Sequence, residues 1–408
     1  MARSEVAKPL ASASKKKMYQ TGMSLVRLRE TPMSTSPRIL VADDQNDILQ
    51  ALRLLLSEAG FTTDLVKSVH GAIQRVAGAT YDLLLMDLNY TRDTTSGREG
   101  LQLLDEVRAR DAALPIVVMT GWGSIEMAVD AMRRGARSFV QKPWDDATLI
   151  EVVRREVDLG RAGRRRDAQL AHEHEEARLI QRALLPSVIP SIRGCTLAAR
   201  WTPACGVGGD CYDLLQFGES RVAISIGDVI GKGVPAALLM SNLQAAVRAF
   251  ATPEAEPHRV CANVNRLLCR NIEAGRFVTF CYAVIDTAAK AVVYSNAGHN
   301  PPILMRRSGS AERLTTKGLV LGVACDWCYG AGELPLEPGD RLICFTDGIT
   351  EAESQEGEEF GDERLIAIVR AAGPVSADEL VGRITEAVAG WCGGQPRDDA
   401  TLVVAAID

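Results

Sequence analysis

Long apolar runs are missing from this sequence. None of its 408 residues belongs to a stretch approaching the ~18 consecutive apolar positions that a membrane-spanning helix requires, and the N-terminus has no short apolar block with a cleavage site. These absences predict a soluble cytoplasmic protein with no membrane partner. Histidine is scarce, at five residues, and no cysteine precedes Gly194. The ten cysteines that follow are irregularly spaced, which argues against a disulfide scaffold and predicts reduced, mostly buried thiols. Cys325 and Cys328 form a lone C-x-x-C, with no second pair or histidine cluster to complete a zinc site. A basic excess is missing too: 46 Lys and Arg against 52 Asp and Glu give a net charge of −6. That balance offers no broad footprint for nucleic acid, and no basic recognition helix is present. Residues 1–37 hold seven basic and two acidic side chains, so the rest of the chain carries −11.

What is present is globular: 47% hydrophobic and 24% charged residues in a length that predicts two or three domains. Residues 1–36 mix Ser, Thr, Ala, Lys and two prolines without periodicity and read as a flexible extension, in which Met18, Met23 and Met33 are alternative starts. From Arg38 the pattern changes. ILVADD, YDLLLMDL, PIVVMTG and SFVQKP are short apolar runs separated by amphipathic helices. In the first helix Ile48, Leu49, Leu52, Leu55, Leu56 and Ala59 form one helical stripe. Strands that are apolar throughout belong in a parallel sheet buried on both faces. Residues 37–157 therefore predict a doubly wound α/β domain of flavodoxin-like order, with its site beyond the carboxyl ends of the strands.

Residues 146–185 read as a polar helix with interruptions at Gly160 and Gly163. Within the linker, 158–185, Leu170, Ala177 and Leu184 recur every seven residues with Ile180 at a d-like position. This short heptad trace fits either a dimerising helix or a solvated connector. After LLPSVIP the period becomes two: RVAISIGDV, FVTFCYAVID, AVVYSNAG, RLICFTDG and ATLVVAAID read as strands, with turns such as Pro338-Gly339-Asp340 and two helices near 235–250 and 257–273. Residues 186–408 predict an α+β domain built on antiparallel sheets.

Five residues mark the strand ends of the first domain: Asp43 and Asp44 after the first strand, Asp87 after the third, Thr120 after the fourth and Lys142 after the fifth. Three carboxylates suit Mg²⁺, which binds phosphate at the same time. Asp87 can then attack phosphorus while the metal, Lys142 and the Thr120 hydroxyl neutralise the transferred oxygens. Residues 38–157 resemble the receiver domain of two-component response regulators. The resemblance implies a phospho-acceptor at Asp87, Mg²⁺ at Asp43, Asp44 and Asp87, a Thr120, Phe139 and Lys142 switch relay, and a sensor histidine kinase as partner. The departure is NYTRDTTSGREG, Asn89 to Gly100, in place of a short loop, similar to a variant in some receivers of the NtrC-like type.

GVGGDCYD, GDVIGKGVPAALL, TDGITEA and RDDATLVV each set an aspartate at a strand end or glycine turn, where a small neighbour lets the backbone approach a ligand. Asp210, Asp228, Asp347 and Asp398 or Asp399 thus predict one carboxylate cage. Oxygen ligands without histidine select Mg²⁺ or Mn²⁺. Two such ions can orient a water for attack on a phosphate ester without a protein nucleophile. His299, in NAGHNPP, reads as a packing or hydrogen-bonding loop residue, with general acid as the alternative.

These motifs, with QRALLP before them, resemble the PPM family of metal-dependent serine/threonine phosphatases, in its sporulation-E and RsbU branch. The resemblance covers about residues 175–408 and implies a β-sandwich flanked by helices with a binuclear Mg²⁺ or Mn²⁺ centre. It also implies that Asp228 bridges the metals, that the Val229 carbonyl adds a ligand, and that Asp210, Asp347 and Asp398 complete the cage, with Asp399 the neighbour left open. Where the eukaryotic branch has a histidine two positions after the bridging aspartate, this chain has Ile230. The expected protein is a response regulator with phosphatase output, acting on phosphoserine or phosphothreonine of an anti-sigma-factor antagonist or similar protein under the control of Asp87. The alternatives are a catalytically silent, receiver-gated scaffold and a nucleotide cyclase misread through Gly208-Gly209-Asp210.

Overall fold

The computed structural model describes residues 36–90, 98–121, 125–204, 206–273, 275–394 and 397–408. The extension read at 1–36 lies outside these residues except for Ser36, as does the centre of the Asn89 to Gly100 loop. The chain divides into two compact units between Asp167 and Ala168.

The first unit carries strands β1 (Arg38–Ala42), β2 (Thr62–Val66), β3 (Leu83–Asp87), β4 (Ile116–Thr120) and β5 (Ser138–Gln141). All pair in parallel, in the order β2-β1-β3-β4-β5. The helices are α1 (Asn46–Glu58), α2 (Val69–Gly78), α3 (Arg98–Arg110), α4 (Ile125–Arg133) and α5 (Asp146–Leu184). This is the flavodoxin-like topology that the buried apolar runs predict. Strand alternation sorts the core into two faces. Leu40, Leu84, Met86 and Val118 pack with Leu103, Leu104 and Val107 of α3, whereas Ile39, Leu85, Val117 and Met119 pack with Leu49, Leu52 and Leu56 of α1 and Leu149, Val153 and Val157 of α5.

The interruptions expected at Gly160 and Gly163 are absent, because α5 runs unbroken from Asp146 to Leu184. At Gly160 the reason is packing: a Cβ there would lie 2.4 Å from Pro115 Cγ. Arg161 follows at once and makes a two-pronged ion pair with Asp82, at 2.8 and 2.9 Å. This glycine lets the helix lie close against the strand edge, and its conformational freedom is not used.

The second unit stacks two antiparallel sheets between helix pairs. Its strands are β6 (Cys195–Thr202), β7 (Cys211–Gln216), β8 (Arg221–Val229), β9 (Val278–Asp286), β10 (Ala291–Ala297), β11 (Ile303–Met305), β12 (Ala311–Arg313), β13 (Gly332–Pro335), β14 (Arg341–Phe345) and β15 (Ala400–Ile407). They form sheets of order β13-β10-β9-β8-β7 and β12-β11-β14-β15-β6. The two expected helices are α6 (Val234–Phe250) and α7 (Pro257–Asn271). Three more appear: α8 (Asp347–Thr350), α9 (Gly361–Ala371) and α10 (Ala377–Cys392). Leu342, Cys344, Val403 and Ala405 belong to the core shared with the first sheet, and their neighbours Ile343, Phe345, Leu402 and Val404 to the core under α9 and α10. No described helix is long and apolar enough to cross a membrane.

Candidate functional site

A parallel sheet brings the carboxyl ends of its strands to one edge, and the five predicted receiver residues follow from that geometry. Asp43 is fully buried and Asp87 nearly so. Lys142 Nζ donates to Asp43 Oδ2 at 2.7 Å and to Asp87 Oδ2 at 2.8 Å. Oxygens of Asp43, Asp44 and Asp87 all lie within 4.8 Å of one another. Burial raises the Asp43 pKa against the opposing pull of Lys142. Burial likewise opposes the charge on Lys142, but Asp87 and Asp43 outweigh it and hold the ammonium firmly protonated. Thr120 is buried, and its carbonyl accepts the Lys142 N–H at 2.7 Å. Phe139 pairs with Val118 across β4 and β5 and is 47% exposed.

The departing loop starts and ends against this site. Tyr90 is buried and its phenol donates to Ala42 O at 3.3 Å, beside Asp43. At the far end a Cβ on Gly100 would lie 2.5 Å from Leu88 Cα and O, so only glycine lets α3 start against the chain leaving Asp87. One buried aromatic and one glycine in a polar stretch were the available signals.

In the second unit the four motifs meet where β7, β8, β14 and β15 begin or end. Asp210, just before β7, is 1% exposed. Its Oδ2 accepts hydrogen bonds from Thr346 Oγ1 and Thr401 Oγ1, both at 2.6 Å, while its Oδ1 is buried without a partner. Asp228, near the end of β8, interacts electrostatically with Asp210, and its carboxyl is pushed up to about 7 by burial and then by the charges of Asp347 and Asp398. Burial and Asp228 raise Asp210 as well. Asp347 opens α8 and is raised by burial and Asp398.

The adjacent pair Asp398-Asp399 separates by environment. Asp399 is buried and spends both oxygens on backbone, Oδ1 accepting from Ala204 N at 2.8 Å and Oδ2 from Gly209 N at 2.6 Å. Asp398 is exposed, its Oδ2 2.9 Å from Lys232 Nζ. Asp399 therefore shapes the loop that carries Asp210, and Asp398 stands among the acids. The glycines allow this: a Cβ on Gly208 would lie 2.3 Å from Asp399 Oδ2, and one on Gly209 2.7 Å from the Val229 carbonyl oxygen.

Among the described residues no three acids of the second unit converge as closely as the receiver trio. They nevertheless fit hard divalent cations: every donor is oxygen, one oxygen is buried and unpartnered, and the carboxyls raise one another's pKa, a repulsion that a cation relieves. The receiver trio fits one such ion by the same chemistry.

Gln181, Thr346 and Thr401 carry functional contacts that sequence reasoning left without a role. Gln181, on α5, is 3% exposed and grips the main chain of Gly208 from both sides, accepting from its N–H at 3.0 Å and donating to its carbonyl at 2.6 Å. The end of the same helix is held by α6, as Gln244 Nε2 and Arg248 Nη2 donate to Leu184 O at 2.6 and 3.2 Å and Arg248 Nε pairs with buried Asp213 at 2.6 Å. Gln181→Ala strands two buried backbone groups, each worth ~1–3 kcal/mol. We expect phosphate release to fall by about 10- to 100-fold, with a higher Mn²⁺ requirement; a metal titration that coincides with that of the unaltered protein would refute this.

His299 packs in the interior, its Nδ1 2.8 Å from Thr279 Oγ1, and Thr279 pairs with Asp228 across β8 and β9. Burial pushes its pKa down to about 4, so the ring is neutral at pH 7. The loop is closed by reciprocal bonds between Asn296 and the His299 main chain, at 2.7 and 3.0 Å.

Comparison with known proteins agrees with this division. The family described as Stage II sporulation protein E (SpoIIE) matches residues 218–408, and the response regulator receiver domain matches residues 39–154. Phosphoserine phosphatase RsbU of Bacillus subtilis is 33% identical over 239 residues, covering 58% of this chain and 70% of RsbU. Transcriptional regulatory protein FixJ of Bradyrhizobium diazoefficiens is 31% identical over 121 residues, 30% of this chain and 57% of FixJ. Among solved structures, the SiaA-PP2C domain of Pseudomonas aeruginosa shares the fold at a TM-score of 0.52 and 23% identity, covering 59% of this chain and 98% of that domain. The chain thus belongs to the RsbU and SpoIIE family of phosphatases, with a response regulator receiver domain ahead of its phosphatase domain.

Proposed function

We propose that this protein removes phosphate from phosphoserine or phosphothreonine of a signalling protein, such as an anti-sigma-factor antagonist, and that phosphorylation of Asp87 by a sensor histidine kinase controls the rate. The observation that carries the catalytic half is the meeting of Asp210, Asp228, Asp347 and Asp398, with one buried Asp210 oxygen left unpartnered. Asp210, Asp228, Asp347 and Asp398, with the Val229 carbonyl, would hold two Mg²⁺ or Mn²⁺ ions. When bound, the ions supply Lewis-acid activation of water and of the phosphoryl oxygens.

The chain's own residues do the positioning. Thr346 and Thr401 orient Asp210 through its Oδ2, leaving Oδ1 without a partner. Asp399 and Gln181 together hold the Gly208-Gly209 main chain, Asp399 at Gly209 N and Gln181 at Gly208. In the receiver Asp43, Asp44 and Asp87 would hold Mg²⁺, Asp87 displaces the donor group from phosphorus, and Lys142, already within reach of both Asp43 and Asp87, neutralises the arriving oxygens. Thr120 offers its hydroxyl to the same group, and Phe139 on β5 reports the change at the surface. The domains are those of the sequence reading: receiver 37–157, linker 158–185 with its heptad trace as a homodimer contact, and phosphatase 186–408.

The test measures phosphate release from a phosphoserine protein in Mn²⁺, with and without beryllofluoride on the receiver. Metal-dependent release that changes with beryllofluoride is expected. Metal binding without hydrolysis in either receiver state would instead favour the scaffold, and consumption of nucleoside triphosphate the cyclase.

A further inference from the structure

The Cys325 and Cys328 pair finds no second pair in the sequence, but the fold sets a third cysteine beside it. Cys269 lies in the last turn of α7. One helical turn earlier, Asn265 is fully buried and ties α7 to the segment after Leu321. Its Nδ2 donates to Ala324 O at 2.8 Å and Cys325 O at 3.2 Å, and its Oδ1 accepts from Gly322 N at 2.8 Å. The Cys269 thiol lies 3.8 Å from the same Asn265 oxygen, and Cys325 is near enough to raise its pKa. Asn265 thus fixes the Cys325 main chain one helical turn from Cys269, with both cysteines hydrogen-bonded to the same side chain. Cys328 turns back instead toward Asp326 O, at 4.0 Å.

We propose that Cys269 and Cys325 form a reversible disulfide when the protein meets hydrogen peroxide, fastening α7 to the Leu321 to Cys325 segment. Cys325 is exposed and Cys269 half-buried, so the oxidant reaches Cys325 first. The Cys325 sulfur attacks one peroxide oxygen. The O–O bond breaks, the departing hydroxide takes the thiol proton and leaves as water, and sulfur is oxidised to the sulfenic acid. The Cys269 sulfur then displaces hydroxide from Cys325, forming the S–S bond as the S–O bond breaks, and the hydroxide leaves with the Cys269 proton as a second water. A dithiol reverses the step. Burial and Cys325 together push the Cys269 thiol up to about 11, which keeps it protonated and makes it a poor first attacker on peroxide.

The fastened segment bears on the phosphatase site. Leu321 exchanges two backbone hydrogen bonds with Val278, at 3.0 and 2.8 Å, and Val278 pairs with Val229, the residue after Asp228.

The experiment is peroxide treatment of the full chain, alkylation of the remaining thiols, and peptide mass analysis. Cleavage before Asp326 separates Cys325 from Cys328 and makes the pairing unambiguous. We expect a cross-linked peptide pair joining Cys269 to Cys325, lost on dithiothreitol treatment and retained in Cys328→Ser. In Cys269→Ser, Cys325 should accumulate as the sulfenic acid and react with dimedone. A Cys325 to Cys328 link in the unaltered protein, or oxidation of Cys325 without any link to Cys269, overturns the proposal. Both outcomes are read on the unaltered protein, so they stand even if Cys269→Ser fails to fold.

Discussion

Asp228→Asn should lower metal-dependent phosphate release by at least about 10³-fold, ~4 kcal/mol of barrier. Asp228 feels the charges of Asp347 and Asp398 and acts in turn on Asp210, so it links the acids of the cage. An amide keeps the shape and removes the anionic oxygen. The same substitution should have the opposite effect on the chelated protein. Burial and three nearby acids disfavour the charged Asp228, and its pKa is raised, so its cost to stability grows as pH rises from the ordinary carboxylate range through about 7. The chelated variant should therefore melt above the chelated parent at pH 8, and Mn²⁺ should raise its melting temperature by less. Undiminished turnover in the variant would remove Asp228 from the catalytic set, and a lower melting temperature in chelator would show that the carboxyl is structural.

Gly348→Ala is expected to lower the melting temperature by roughly 6–12 °C, the equivalent of ~3 kcal/mol in a domain of this size. A Cβ there would lie 2.0 Å from the Asp399 carbonyl oxygen and 2.8 Å from its carbon, both backbone atoms. They have nowhere to go, because Thr346 N donates to Thr401 O at 3.1 Å and β15 is paired on both sides. Relief by shifting α8 would carry Asp347 away from Asp228, so activity should fall with stability. Gly382→Ala in α10 is the control: nothing lies within 4 Å of that Cβ, and the substitution should be neutral or stabilise by up to ~1 kcal/mol through helix propensity. Equal melting temperatures for Gly348→Ala and the parent would show that the α8 contact yields easily.

The receiver was legible because every signal in it is local. Strands buried on both faces read as unbroken apolar runs, and a strand-end acid is visible as the residue that ends the run. The second unit was legible only where an acid stood beside glycine. Helices α9 and α10 went unread although Ser376 caps α10 by accepting from Glu379 N at 3.1 Å and Gly393 closes it in the left-handed region; both signals were in the sequence. Asp398 and Asp399 could not be told apart, since adjacent identical residues differ only in what the fold places against them. Gln181 was hidden by its setting, a polar residue on a polar helix whose partner lies 27 positions along the chain.

The place of β15 also sets an order of assembly. It lies between β14 and β6, so β6, made about two hundred residues earlier on the ribosome, waits as an unpaired edge until β15 emerges. Asp398, Asp399 and Thr401 arrive on that same strand or just ahead of it. A nascent chain therefore holds Asp210 without its second threonine, and Gly209 without the carboxylate that fixes it. Such a chain has no competent site, so the phosphatase stays silent until β15 has emerged, and premature termination before β15 should yield an inert, aggregation-prone fragment in place of an unregulated enzyme.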